Sequence, residues 1–160
     1  MKYVILSLLV LFPVRRISDL RLLKLVDNEE DLNDKFNYYI PKTKTLIFLN
    51  YKTKRLYKRQ DFKINDELAN IINKYISSYN IQNDDFIFNR DGVEYKQADM
   101  TSFIIRYTKK VYGVSISPSL FRTIYCSMFY STGRTNKEAD LCSQRLAHSV
   151  EEARMTYSKI

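Results

Sequence analysis

The sequence predicts an α+β domain, mainly α, with one small antiparallel sheet in its first half. Three observations predict this. Apolar residues recur at helical spacing in several separate stretches, and throughout the second half of the chain. Strand-like runs of β-branched and aromatic residues, closed off by turn residues, concentrate in residues 36–64. The length of 160 residues, with 45% hydrophobic and 28% charged, is that of one ordinary globular domain. Such a chain buries ~70% of its unfolded surface and needs no disulfide or metal staple.

Taken in order, Val4-Ile5-Leu6-Ser7-Leu8-Leu9-Val10-Leu11-Phe12 reads as a buried core helix. It lacks the small-residue cleavage site of a secretory signal, and it is far short of the ~20 apolar residues that cross a bilayer. A signal anchor is the alternative reading. Pro13 interrupts this helix. Ser18 or Asp19 then caps a second one over residues 20–26, whose leucines supply an apolar face. Residues 27–35 are polar and acidic, a loop. Strands are expected over 36–40, 45–51 and 56–64, the last two joined by the basic tip Lys52-Thr53-Lys54-Arg55. Asn65-Asp66-Glu67 opens a helix to about residue 79, with Leu68, Ile71, Ile72, Tyr75 and Ile76 on one face. Phe86-Ile87-Phe88-Asn89 is a short strand, or an extended piece, before the turn at Asp91-Gly92.

The remainder is helical. Residues 97–112 end at Gly113, a C-terminal cap. Pro118 or Ser119 opens a helix through residue 131, stopped by Thr132-Gly133. Thr135 or Asn136 caps the next, over 137–146. A last helix starts near Ser149, with Glu151 and Glu152 in its first turn, where negative charge is favourable. The chain shows no repeat, low-complexity segment or linker.

Lys and Arg outnumber Asp and Glu by 26 to 18, a net charge of +8 that suits a polyanionic partner such as nucleic acid. The two cysteines, Cys126 and Cys142, have no metal-ligand spacing, and one histidine cannot complete a histidine-rich metal site. No metal or other cofactor is expected, and the thiols read as reduced and structural, in an intracellular protein.

Breaking a phosphodiester without metal needs a nucleophile, cations on the non-bridging oxygens and an acid for the leaving oxygen. Arginine binds phosphate oxygens with a planar fork and stays charged. A tyrosine phenol is a fair nucleophile when its proton is taken, and a fair leaving group in reverse. The chain holds these parts in Arg16, Lys52, Arg122, His148 and Tyr157. Arg15 is a rival for Arg16, and Lys54 for Lys52.

In that order and spacing the chain resembles the catalytic domain of the tyrosine recombinases (phage-type integrases), over nearly the whole of that domain. Arg16-Ile17-Ser18-Asp19-Leu20 is similar to the first-arginine box. Lys52-Thr53 sits at the sheet turn where the family keeps its lysine. Ser119-Leu120-Phe121-Arg122-Thr123 is similar to the His-x-x-Arg box, and Leu146-Ala147-His148 to the Leu-Gly-His box. The nine-residue step from His148 to Tyr157 is the family's spacing. The Pro13-Val14-Arg15-Arg16 and Tyr51-Lys52-Thr53 segments look most like versions from mobile elements or large DNA viruses.

The resemblance implies a tyrosine recombinase/integrase catalytic-domain-like helical fold and site-specific DNA breaking and joining. Tyr157 attacks the scissile phosphate and forms a 3′-phosphotyrosyl link. Arg16 and Arg122 clamp the phosphate, His148 assists by hydrogen bonding, and Lys52 protonates the leaving 5′ oxygen. Asp19 and Ser119 are supporting residues, while Arg15, Lys54, Arg55 and Lys58 are expected to bind DNA. The partner is double-stranded DNA, with tetramers on paired sites and a monomer in isolation. No membrane is involved; the location is where DNA is, the host nucleus or cytoplasm if the protein is viral. Three departures stand out. Ser119 occupies the position of the usual histidine, and Ala147 that of the usual glycine. Residues 1–160 read as a single catalytic domain, so the family's N-terminal DNA-clamping domain is expected to be absent. A catalytically impaired DNA-binding remnant and a type IB topoisomerase-like enzyme are the alternatives.

Overall fold

The computed structural model describes residues 1–30, 32–133 and 135–147. Helix α1 (Lys2–Val10) buries Val4, Ile5, Leu8 and Leu9. Each such side chain contributes on the order of 2 kcal/mol by leaving water. The helix packs on α4 (Asp66–Ser78) and α5 (Gln97–Tyr112), so the apolar opening run enters the core as expected, except at Val10 and Leu11, which are exposed. Among the described residues, no helix is long and apolar enough to cross a membrane.

After α1 come a short α2 (Ile17–Leu20) and β1 (Leu23–Leu25). Of the helix expected over residues 20–26, residues 23–25 are instead a strand and 21–22 a turn. Leu23 and Leu25 are buried with Lys24 between them half-buried, a period of two. Strand β1 lies parallel to β2 (Asn37–Ile40). On its other side, Leu25 N–H donates to the Asp85 carbonyl and Ile87 N–H to that of Leu23. Pairing on both edges overrides the helical preference of leucine.

Strands β2, β3 (Thr45–Phe48) and β4 (Gln60–Lys63) are antiparallel neighbours, giving the sheet order β1-β2-β3-β4. The small antiparallel sheet is thus present, extended by one parallel strand. Alternate residues of β2 and β3 face opposite ways, as the pleat requires. Tyr39, Leu46 and Phe48 enter the main core, while Tyr38, Ile40 and Ile47 form a second cluster under Val26, Phe36 and Leu49. Of the strand expected over 56–64, only its second half forms. Lys54–Tyr57 is instead a helical turn, α3, none of whose residues is buried. Its one core contact is that of the half-buried Tyr57, and the stretch makes a local turn, closed by the Lys58 N–H donating to the Lys54 carbonyl.

The second half follows its caps. The Asn65 side chain accepts from Leu68 N–H to start α4. Asp91 and Gly92 both have positive φ, as a two-residue turn needs between β5 (Asn89–Arg90) and β6 (Val93–Glu94). Helix α5 ends at Gly113 in the left-handed conformation. Thr108, fully buried on α5, accepts from Ile116 N–H and so fixes where α6 (Pro118–Ser131) begins. Ser117 caps α6, and Pro118 takes its first position. Thr135 and Glu138 form a reciprocal capping box on α7 (Asn136–Leu146). The helix expected from Ser149 falls outside the described residues.

Candidate active site

Two arginines far apart in sequence meet at one cleft. Arg16 is the N-cap residue of α2, in extended conformation, where the chain leaves the core and turns. Arg122 lies on the buried side of α6, with only 4% of its surface exposed. Both line a cleft of about 310 Å³, together with Ser18, Gln97, Thr101 and Ser119. No acidic side chain lines it among the described residues. A polar cleft with two guanidinium groups and several hydroxyls can receive a phosphate, because each can donate hydrogen bonds to its oxygens. A larger cleft of about 540 Å³, lined by Tyr75, Tyr79, Tyr95, Phe103 and Tyr107, lies elsewhere. Its only charged side chain among the described residues is that of Lys2, which sits over the Phe103 and Tyr107 rings.

The two cleft arginines are held by backbone. Arg122 Nη1 donates to the Val14 carbonyl at 2.8 Å, and its Nη2 to the Leu146 carbonyl at 3.0 Å. Arg16 Nη1 donates to the next carbonyl, that of Ala147, at 3.3 Å. Thr53 Oγ1 donates to the same oxygen at 3.0 Å. The end of α7 therefore touches α6, the start of α2 and the β3–β4 connection. Cations placed here also face the negative end of the helix.

Arg15 has a different fate from its neighbour. It is fully buried, with its guanidinium 4.2 Å from the Phe48 ring centre and 4.8 Å from that of Tyr51. Its Nη1 donates to Gln60 Oε1 at 2.8 Å and to the Arg145 carbonyl at 2.9 Å. Asp19 lies 3.4 Å from Arg15 Nε, an ion pair not aligned as a hydrogen bond. Burial, opposed by Asp19, pushes Arg15 down to about 10. Burial likewise raises Asp19, against the pull of Arg15. The expectation that Arg15 binds DNA is corrected on this ground: a guanidinium with no exposed surface, already bonded inside the core, cannot reach a phosphate. Asp19 supports from beneath; it is 1% exposed and receives the Ser18 hydroxyl at 3.0 Å.

Lys52, Lys54, Arg55 and Lys58 are all exposed on the β3–β4 connection. Lys54 pairs with Asp34 at 3.6 Å. Lys52 does not line the cleft, but Thr53 beside it shares an acceptor with Arg16, which keeps the connection against the site. Ser119 is exposed at the cleft edge, on the first turn of α6. Ala147 is buried and left-handed, with φ 54°, so the position that resembles the family's glycine has a conformation that favours glycine. His148 and Tyr157 fall outside the described residues. Thr53 and Gln60 were not singled out for contacts from the sequence, since both act through carbonyls far along the chain. Cys126 and Cys142 are free and buried, and burial pushes Cys126 up to about 12. The described residues hold no group of three or more metal-ligating side chains.

No family model matches the sequence, and no curated protein matches it either. Solved structures do match. The chain is similar to XerA recombinase, with a TM-score of 0.69 and 17% identity, over 99% of this chain and 53% of that one. It is also similar to the integrase of transposon Tn1549, solved in complex with transposon right-end DNA. Here the TM-score is 0.63 at 16% identity, over 98% of this chain and 53% of that one. The chain thus spans about half the length of each. From α1 to α7, the chain has the fold of a tyrosine recombinase catalytic domain.

Proposed function

We propose that the protein breaks and rejoins double-stranded DNA through a 3′-phosphotyrosyl intermediate on Tyr157. One observation carries the reading: Arg16 and Arg122 line a single polar cleft in a recombinase fold. In this reading the two guanidinium groups neutralise the non-bridging oxygens as the Tyr157 phenol oxygen attacks phosphorus, its proton passing to water. The bond from phosphorus to the 5′ oxygen breaks, and Lys52 supplies the proton that oxygen needs. His148 hydrogen-bonds the phosphate. Attack by a 5′-hydroxyl of another strand reverses the step and releases the tyrosine, so no metal or nucleotide is consumed. The DNA-bound state of the Tn1549 integrase supports DNA as the partner, as does the charge of +8. The protein acts where DNA is inside the cell, as a monomer in isolation and a tetramer on paired sites.

Incubation with nicked suicide DNA tests the reading. A covalent protein–DNA adduct that survives denaturation is expected, and it is expected to vanish in Tyr157→Phe. No adduct on any duplex or nicked substrate overturns it.

The position of Ser119 favours a second reading, a catalytically impaired DNA-binding remnant. This side chain edges the cleft where the family resemblance calls for histidine, and a hydroxyl is a poor proton acceptor at neutral pH. Duplex binding without any adduct selects it.

A further inference from the structure

The last carbonyls of an α-helix lack the usual partner four residues on, and side chains, water or a tightened last turn take them; in α7 the Ala147 N–H bends back to the Gln144 carbonyl at 3.0 Å. In α7 each of the last ones meets a side chain from a distant segment. Gln60 Nε2 donates to the Gln144 carbonyl at 2.9 Å, and Arg15 Nη1 to that of Arg145 at 2.9 Å. Arg122 takes Leu146, and Arg16 and Thr53 share Ala147. The two outer carbonyls are thus held by the arginines of the cleft, and the two inner ones by residues that line no part of it.

Those two inner residues are bonded to each other, Arg15 Nη1 to Gln60 Oε1 at 2.8 Å. Both are buried. Gln60 is anchored on β4, and the Arg15 guanidinium faces the rings of Phe48 on β3 and Tyr51 just beyond it. The pair therefore fastens the end of α7 to the sheet. Arg16 and Arg122 take their bearings from the same turn of helix, so any shift of that turn moves the bonding partners of both. A misplacement of ~1 Å at such a site costs ~10²-fold in rate. The ion pair with Asp19 and the contact with the two rings offset part of the cost of burying this charge, and the bonds of Nη1 to Gln60 and to the α7 end are the hydrogen bonds that the guanidinium makes among the described residues.

We propose that Arg15 and Gln60 are positioning residues of the candidate phosphodiester site, holding the α7 terminus that aligns Arg16 and Arg122 and from which the chain continues to His148. What they position rests on the DNA-cleavage reading; that they hold the helix end does not.

Gln60→Met keeps the side-chain length and removes both bonds without stranding a charge, so it is the variant of choice. Gln60→Glu keeps the acceptor for Arg15 and loses the bond to Gln144. On suicide DNA, Gln60→Met is expected to lower the single-turnover adduct rate at saturating DNA by tenfold or more. Half-saturation should stay within twofold of wild type, and Gln60→Glu should recover part of the rate. In the DNA-free protein, amide exchange over residues 144–147 should quicken at least tenfold in Gln60→Met, with α4 unchanged. Unaltered exchange there overturns the clamp. Quickened exchange with a wild-type adduct rate overturns the positioning role. If the wild type makes no adduct, the cleavage reading fails, the positioning role falls with it, and the exchange result alone decides the clamp.

Discussion

The α7 junction and the β3–β4 connection are both rich in basic residues, yet one is dry and the other wet. At the junction, Arg15 and Arg122 are at least 96% buried, and Arg15 Nη1 and both Arg122 Nη atoms donate to carbonyls. On the connection, Lys52, Lys54, Arg55 and Lys58 stand in water, and the Lys54–Asp34 pair is the exposed kind that contributes about 0–1 kcal/mol. The difference teaches what each region can do. Buried, bonded cations fix geometry and resist salt screening; exposed ones gather a polyanion and can move a proton. A phosphodiester chemistry needs both kinds, side by side.

That contrast breaks most sharply at Arg122. Arg122→Ala leaves the buried carbonyls of Val14 and Leu146 without these donors. The expected cost is about 3 kcal/mol of stability, or a melting midpoint lower by roughly 10 °C. Loss of the phosphate contact should also reduce adduct formation by ~10³-fold. A midpoint within 2 °C of wild type, on the order of the ±0.5 kcal/mol of ordinary surface substitutions, places Arg122 outside the dry set.

Lys52→Ala is the mirror experiment. An exposed lysine removed from a surface connection should leave the melting midpoint unchanged, while loss of a general acid lowers adduct formation by ~10²-fold. A substrate with a sulfur leaving group at the 5′ position, which needs no proton, should restore most of the rate. If it does not, the acid is another group, with Lys54 the next to test.

Replacing Arg55 and Lys58 together with Gln measures the wet region as a collector of phosphate. DNA affinity should fall evenly across sequences, and the slope of log affinity against log salt should become shallower by roughly two. An unchanged slope removes these two from the interface.

The smallest effect is expected at Ala147. Its left-handed backbone costs about 1–2 kcal/mol, which glycine would relieve. Against this stand the loss of a buried methyl, about 0.8 kcal/mol, and the extra freedom of an unfolded glycine, about 0.5–1 kcal/mol. Ala147→Gly should therefore change stability by less than about 1 kcal/mol, measured by denaturant titration. A clear gain means strain dominates at this turn.

Much of the fold was legible where its signals are local. Asn65, Gly113, Pro118 and Thr135 each mark a helix end through bonds or backbone angles within a few residues, and those ends fall within a residue or two of expectation. Strand β1 was not legible, because Leu23 and Leu25 form a strand only by pairing with segments more than ten residues away. The site divides in the same way. Arg16, Arg122 and Ser119 were readable from their surrounding boxes, and the structure brings them to one cleft. Arg15 and Arg16 carry the same chemistry in adjacent positions. Only the turn into α2, which sends one side chain inward and the next to the cleft, tells them apart.

The closure of the α7 end has a consequence for how the chain reaches its native state. The bond from Arg15 to the Arg145 carbonyl spans 130 residues, that from Arg122 to Val14 spans 108, and that from Thr53 to Ala147 spans 94. Contacts of such separation form only after the intervening chain has lost most of its freedom. The cleft is thus complete only where the segment after α1 and the end of α7 are docked against each other. Under the DNA-cleavage reading proposed above, chains in which these bonds are still open carry the same positive charge without the paired arginines of the cleft.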